Sequence, residues 1–293
     1  MSRLEVLYTT LLLVALVGNG FAVAASTSIA ALVEPLRERG TLARVVALDL
    51  LLVPLVIIGT ATLLDVDPVT RAGLVIVGAA SCGPISIALA RIAGGDVPLS
   101  ITLVLGLGAL NFVTLPLITG LFLPTGLLIP LEALLSSLFG LAVAPLGLGF
   151  LGVRLLRRRG VTPRRMTLTL EGLRRGSDLA LAAAVAVALL LEPRDIAAVL
   201  RGPVLLVALI TMTVVTVAAR GATRDPAQRS TLIIALNARA VGLALAVATL
   251  HLGDVDGLRP VVLAYGGLTQ AIPLLVILAA RGRGRALTTR SAD

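Results

Sequence analysis

The stretches that decide the fold are SCGPISIALARIAGGD at 81–96 and ALNARAVGLALAVATLHLGD at 235–254. Each interrupts a long apolar segment near its middle. In the first, Gly83 and Pro84 stand side by side. Proline has no N–H to donate and its ring crowds the preceding turn, while glycine tolerates dihedrals that other residues avoid, so the helix is expected to break there. In the second, Asn237 and Arg239 occupy the middle of a span where a polar group cannot face lipid. After each interruption come about one half-helix, a Gly-Asp pair (Gly95-Asp96 and Gly253-Asp254) and a further helix with a mid-span amide and a proline, Asn111 with Pro116 and Gln270 with Pro273. The two patterns lie five spans apart and therefore run in opposite directions, the mark of inverted repeats whose broken helices meet at a solute site near mid-membrane. Helix ends exposed there offer oriented N–H and C=O groups that can hold an ion without a full side-chain charge. The alternative is a simple kink in each of two packed transmembrane helices.

Around these stretches the chain is written for lipid. Of its 293 residues, 57% are hydrophobic and 14% charged, which in a soluble globule would leave large apolar surfaces in water. Stretches of the ~20 apolar residues needed to cross a bilayer recur near 4–26, 43–64, 72–92, 97–121, 129–156, 177–192, 202–220, 228–252 and 259–281. If the joints alternate between two sides, 19 of the 25 arginines fall on one of them: Arg37, Arg39, Arg44, Arg91, the run from Arg154 to Arg175, Arg220, Arg224, Arg229 and the tail from Arg281 to Arg290. The other side holds Arg3, Arg71, Arg194, Arg201 and Arg259, and Arg239 stays within a span. The positive-inside rule then sets the C-terminus in the cytoplasm and the N-terminus outside a cell membrane crossed nine times. The segment 157–178 reads as the longest polar joint, an orientation anchor whose arginines could also meet anionic headgroups.

The net charge of +9 thus marks topology and not nucleic acid, because 2% aromatic residues leave no platform for base stacking. One cysteine, Cys82, allows no intrachain disulfide and no metal site of several thiolates, so neither metal nor cofactor is expected. The first segment lacks a charged leader and a small-residue cleavage site and is read as a retained helix. A single peripheral histidine, His251, and one deep acid, Asp49, supply none of the constellations of an intramembrane protease, so an enzyme is not expected. A channel would need a continuous polar lining instead of isolated polar midpoints.

GNGFAV at 18–23, DLLLVP at 49–54, the stretch ending ARIAGGDVPLS and the second break with NARAVGLALA resemble, in order and spacing, the bile acid:sodium symporter family, in a superfamily that includes auxin-efflux-like and arsenite-efflux carriers. The resemblance covers nearly the whole chain. It implies one transporter domain over 1–293, an all-α membrane protein of two inverted repeats at 4–121 and 129–281. Two broken helices would cross at mid-membrane, and the missing first helix of the first repeat would leave nine. It also implies a panel of helices 4–26, 129–156 and 177–192 beside a core of 43–121 and 202–281. The family holds sodium at the crossing. Ser86 and Ser100 match its ligands, but Ile87, Val104 and Ala235 stand where it has an asparagine, a threonine and a glutamate, and Asp49 and Arg239 replace two glutamines. A guanidinium in the site acts against a bound cation. Sodium independence follows, with the coupling ion open and a proton favoured over sodium.

Asp49 and Arg239 are the only charges set deep in the membrane, where an unpaired charge costs at least ~2.5–3.5 kcal/mol. The resemblance places them side by side, either as a structural ion pair or as a switch that releases Arg239 to an anionic solute while Asp49 takes a proton. The candidate site is accordingly Asp49, Ser86, Ser100, Asn111, Asn237, Arg239 and Gln270 around the break at Gly83 and Pro84. Asn19, Thr114 and Thr269 are further polar linings or mere interhelical hydrogen bonders. Cys82 is an apolar filler, or by resemblance the thiol of an arsenite carrier. The expectation is a secondary carrier of a small anionic organic solute, such as a bile acid, pantoate or a sulfonate. The alternatives are a non-transporting sensor or scaffold of the same fold and an arsenite-type efflux carrier.

Overall fold

The computed structural model describes residues 3–26, 39–159 and 162–290, and its helices there make an all-α membrane protein. Arg37, and Gly160 and Val161 of the basic segment, lie outside the described residues. The first helices are α1 (Arg3–Ser26), α2 (Arg39–Ala47) and α3 (Val53–Leu63), the last two joined by a π-helical turn at Leu48–Leu52. The first broken helix is α4 (Pro68–Ala79) and α5 (Ile85–Ala93), followed by α6 (Val97–Phe122). A second π-helical turn, Phe139–Val143, joins α7 (Leu131–Leu138) to α8 (Ala144–Arg158). Then come α9 (Pro163–Leu191), α10 (Pro193–Arg201) and α11 (Pro203–Arg220). The second broken helix is α12 (Pro226–Asn237) and α13 (Val241–His251), and α14 (Leu258–Arg290) closes the chain.

Among the described residues, five helical runs are each long and apolar enough to cross a membrane: 3–25, 40–63, 97–122, 131–156 and 203–220. Leucines turned outward from the packed interior, such as Leu63 at 87% and Leu190 at 78% exposure, belong against hydrocarbon. Each half of the broken helices is too short to span alone, α4 with 12 residues and α13 with 11.

Both π-helical turns end two residues before a proline, Pro54 and Pro145. Proline donates nothing to the carbonyl one turn back, so the preceding residue reaches one residue further instead: Val53 N–H donates to Leu48 O and Ala144 N–H to Phe139 O. The first of these turns carries Asp49.

One expectation is corrected. The segment 157–178 is not a polar joint through most of its length, because α9 starts at Pro163 and runs without interruption to Leu191. Proline at the first turn is compatible with helix, the residues that follow are mostly good helix formers, and Glu171 accepts from Arg175 one turn on at 2.6 Å. Polarity marked where the helix leaves the membrane, not where it ends. A short amphipathic helix, α10, also fills what reads as a joint between spans.

Two packing groups result. The helix α1 lies along α8 and α9. Close approach is set by glycines: a Cβ on Gly149 would stand 2.5 Å from Phe21 O, and one on Gly20 3.2 Å from Pro145 Cβ. The halves α4, α5, α12 and α13 pack with α3, α6, α11 and α14, and α1 meets this group through α13.

Candidate functional site

The two breaks meet. After α4 the chain is extended at Ala80, and after α12 at Ala238. The two extended pieces form an antiparallel bridge between Cys82 and Arg239. Gly83 N–H donates to Ala238 O at 2.9 Å, and Ala240 N–H to Ser81 O at 2.8 Å. Each break thus supplies partners to the backbone that the other leaves open, which is how non-helical chain survives at membrane depth. Gly83 has a steric reason as well: a Cβ there would lie 2.7 Å from Arg239 O and 3.1 Å from Ala240 Cα.

The Arg239 side chain leaves the crossing and is 1% exposed. Its Nη1 donates to Asp49 Oδ1 at 2.5 Å, its Nη2 to Gly78 O at 2.6 Å and its Nε to Val77 O at 3.4 Å. Val77 and Gly78 belong to the last turn of α4, whose carbonyls lose their intrahelical donors because the helix stops. The guanidinium therefore sits at the negative end of a half-helix and beside a carboxylate. It is a positive charge held by oxygens on two sides. Asp49 is fully buried, and its Oδ2 has no hydrogen-bond partner among the described residues.

The other candidates surround this pair unequally. Asn111, 1% exposed, accepts at Oδ1 from Ser81 N–H at 3.0 Å, so α6 ties down the first break. Ser86 Oγ donates to Gly83 O at 2.8 Å and lies 3.1 Å from Cys82 Sγ. Ser100 is fully buried, and its Oγ has no partner among the described residues. Asn237 donates to Ile233 O at 2.8 Å and to Thr216 Oγ1 at 3.3 Å, so it braces the end of α12. Gln270 is half-buried on α14 and takes no part in these bonds, while Thr114 and Thr269 bond backbone carbonyls of their own helices, Leu110 O and Gly266 O. Asn19 is buried on α1. Pro84 precedes the first residue of α5, where a missing N–H costs nothing. The Gly-Asp pairs part company. Asp96 caps α6 by accepting from Leu99 N–H at 2.9 Å, whereas Asp254 stands in the turn ahead of α14.

Sequence reading missed the carbonyls of Val77 and Gly78. The signal was available: a helix that ends at a Gly-Pro break must point its last carbonyls at something, and an arginine in the partner break is the matching donor.

The geometry can hold two charges away from water at the meeting point of two half-helices. The family model for the sodium bile acid symporter family matches residues 11–224, taking in Asp49 and the first break and stopping short of Arg239. No curated protein matches the chain.

Proposed function

The chain belongs to the sodium bile acid symporter family, a family of membrane transporters, and from that premise we propose a secondary carrier of a small anionic organic solute that works without sodium. The observation that carries this reading is the Arg239–Asp49 pair at the crossing, 2.5 Å apart and shut off from solvent. A sodium site needs several oxygens and little positive charge nearby. Here the guanidinium has taken the carboxylate and two helix-end carbonyls. Ile87, Val104 and Ala235 add no side-chain oxygen. The residues do not fit a bound sodium ion, and no step runs through one.

In this reading the crossing alternates its access between the two membrane faces. It is carried by a core of residues 43–121 and 202–281 against a panel of 4–26, 129–156 and 177–192. The broken helices count as one span each, giving nine spans in inverted repeats at 4–121 and 129–281. The excess of arginine puts the C-terminus in the cytoplasm and the N-terminus outside the cell membrane. When Arg239 turns to an anionic solute, Asp49 loses its partner and takes a proton, which makes a proton the coupling ion. The alternating carrier binds its solute through that freed guanidinium.

The test is the melting temperature of the purified protein in sodium against potassium at constant ionic strength. A ligand bound only by the folded state raises it by mass action. Equal values are expected, and a sodium-specific rise would return the protein to sodium coupling. Uptake of organic anions into proteoliposomes then separates a carrier from a scaffold, which would show none.

A further inference from the structure

At the end of the molecule where α1 begins, polar side chains join the two packing groups. Arg259, at the start of α14, donates from Nη2 to Glu192 Oε1 at 2.7 Å, between α9 and α10. The same Nη2 lies 3.9 Å from Glu5 Oε1 on α1, and the guanidinium carbon is 6.0 Å from the centre of the Tyr8 ring. Tyr8 Oη is 3.3 Å from Thr249 Oγ1 on α13, and His251 Nε2, also on α13, is 2.9 Å from Ser137 Oγ on α7. Every bridge in this set runs from α13 or α14 to α1, α7 or the joint after α9.

We propose that Arg259 is a gating residue: its guanidinium, holding Glu192 and Glu5, latches α14 to α1 and the α9–α10 joint, and its release opens the seam leading to the crossing from this end. The proposal rests on the carrier reading, in which the two groups move past one another, and the N-terminus outside makes this the outer seam. The chemistry suits a latch. The Arg259 and Glu192 side chains are 19% and 20% exposed, so water can take both over when they part, as it cannot for Arg239 and Asp49 at 1% and 0%. Asp195 and Glu5 stand near Glu192 as further negative charges. Arg259 is the cation that Glu192 at 2.7 Å and Glu5 at 3.9 Å share, so one substitution removes both contacts.

The chain carries its own reporter. Cys82 is its only cysteine, and it is buried at the crossing. The experiment measures alkylation of Cys82 by a membrane-impermeant maleimide on proteoliposomes of one orientation, applied from either face. Arg259→Ala should raise the rate from the latch face roughly 5-fold and lower it from the opposite face, because one equilibrium governs both. Arg259→Lys should fall between, and Arg259→Glu with Glu192→Arg should return towards wild type. Unchanged rates from both faces would overturn the latch, and so would equal rises from both faces with a lowered melting temperature, which would mark loosened packing alone. Reciprocal labelling without uptake of any organic anion would leave the latch standing and sink the carrier reading. Uptake without reciprocal labelling would do the reverse.

Discussion

The two breaks do the same work with different residues. The first, at 80–84, is made locally: Gly83 admits the partner backbone and Pro84 cannot continue the helix, so α4 would end here whatever lay beside it. The second, at 238–240, contains neither glycine nor proline. Its residues, Ala238, Arg239 and Ala240, favour helix by themselves. What holds them extended is tertiary: the bridge to Ser81–Gly83 and the pull on Arg239 from Asp49 and the end of α4. A break can therefore be written in the chain or imposed on it, and here the written one serves as template for the imposed one.

The contrast breaks most readily at the ion pair. Asp49→Ala strands a buried guanidinium and should cost about 3–5 kcal/mol of stability, whereas Asp49→Ala with Arg239→Met should recover most of that loss, since an apolar pair of similar volume is often neutral. A double-mutant cycle from melting in detergent measures the coupling, and additive losses would mean that the pair does not hold the second break. Next in size, Gly83→Ala drives a methyl against Arg239 O and should cost roughly 1–3 kcal/mol. The same change at Gly106, where a Cβ meets nothing within 4 Å, should be mild. Equal effects at the two sites would show that the crossing has room to part. The smallest effect belongs to Ser100→Ala. Its hydroxyl is buried without a partner among the described residues, so removal should leave stability within about 1 kcal/mol or raise it. A large loss in the same melting experiment would reveal a bond that the hydroxyl makes in the folded protein.

Much of this was readable beforehand because membranes simplify the problem. Apolar length locates spans, and proline, glycine and stray charges locate exceptions. The places of Gly83, Pro84, Asn237 and Arg239 followed from that logic. The extent of α9 did not, since a polar composition says where water begins and not where hydrogen bonding along the helix stops. Nor did the π-helical turn at Leu48–Leu52, although Pro54 was its visible cause. The candidate residues were legible singly but not how they bond: Asn111 ties to the first break through Ser81, Asn237 braces α12 instead, and Gln270 stands outside the network.

By itself, then, the sequence determined that this is a helical protein of the bilayer with two specialised midpoints, because hydrophobicity, proline geometry and the cost of a buried charge act over a few residues. Only the tertiary structure decided that the two midpoints satisfy each other. The partners of Arg239 come from positions 49, 77 and 78, and no local rule can choose among the carbonyls and carboxylates within reach of a distant arginine.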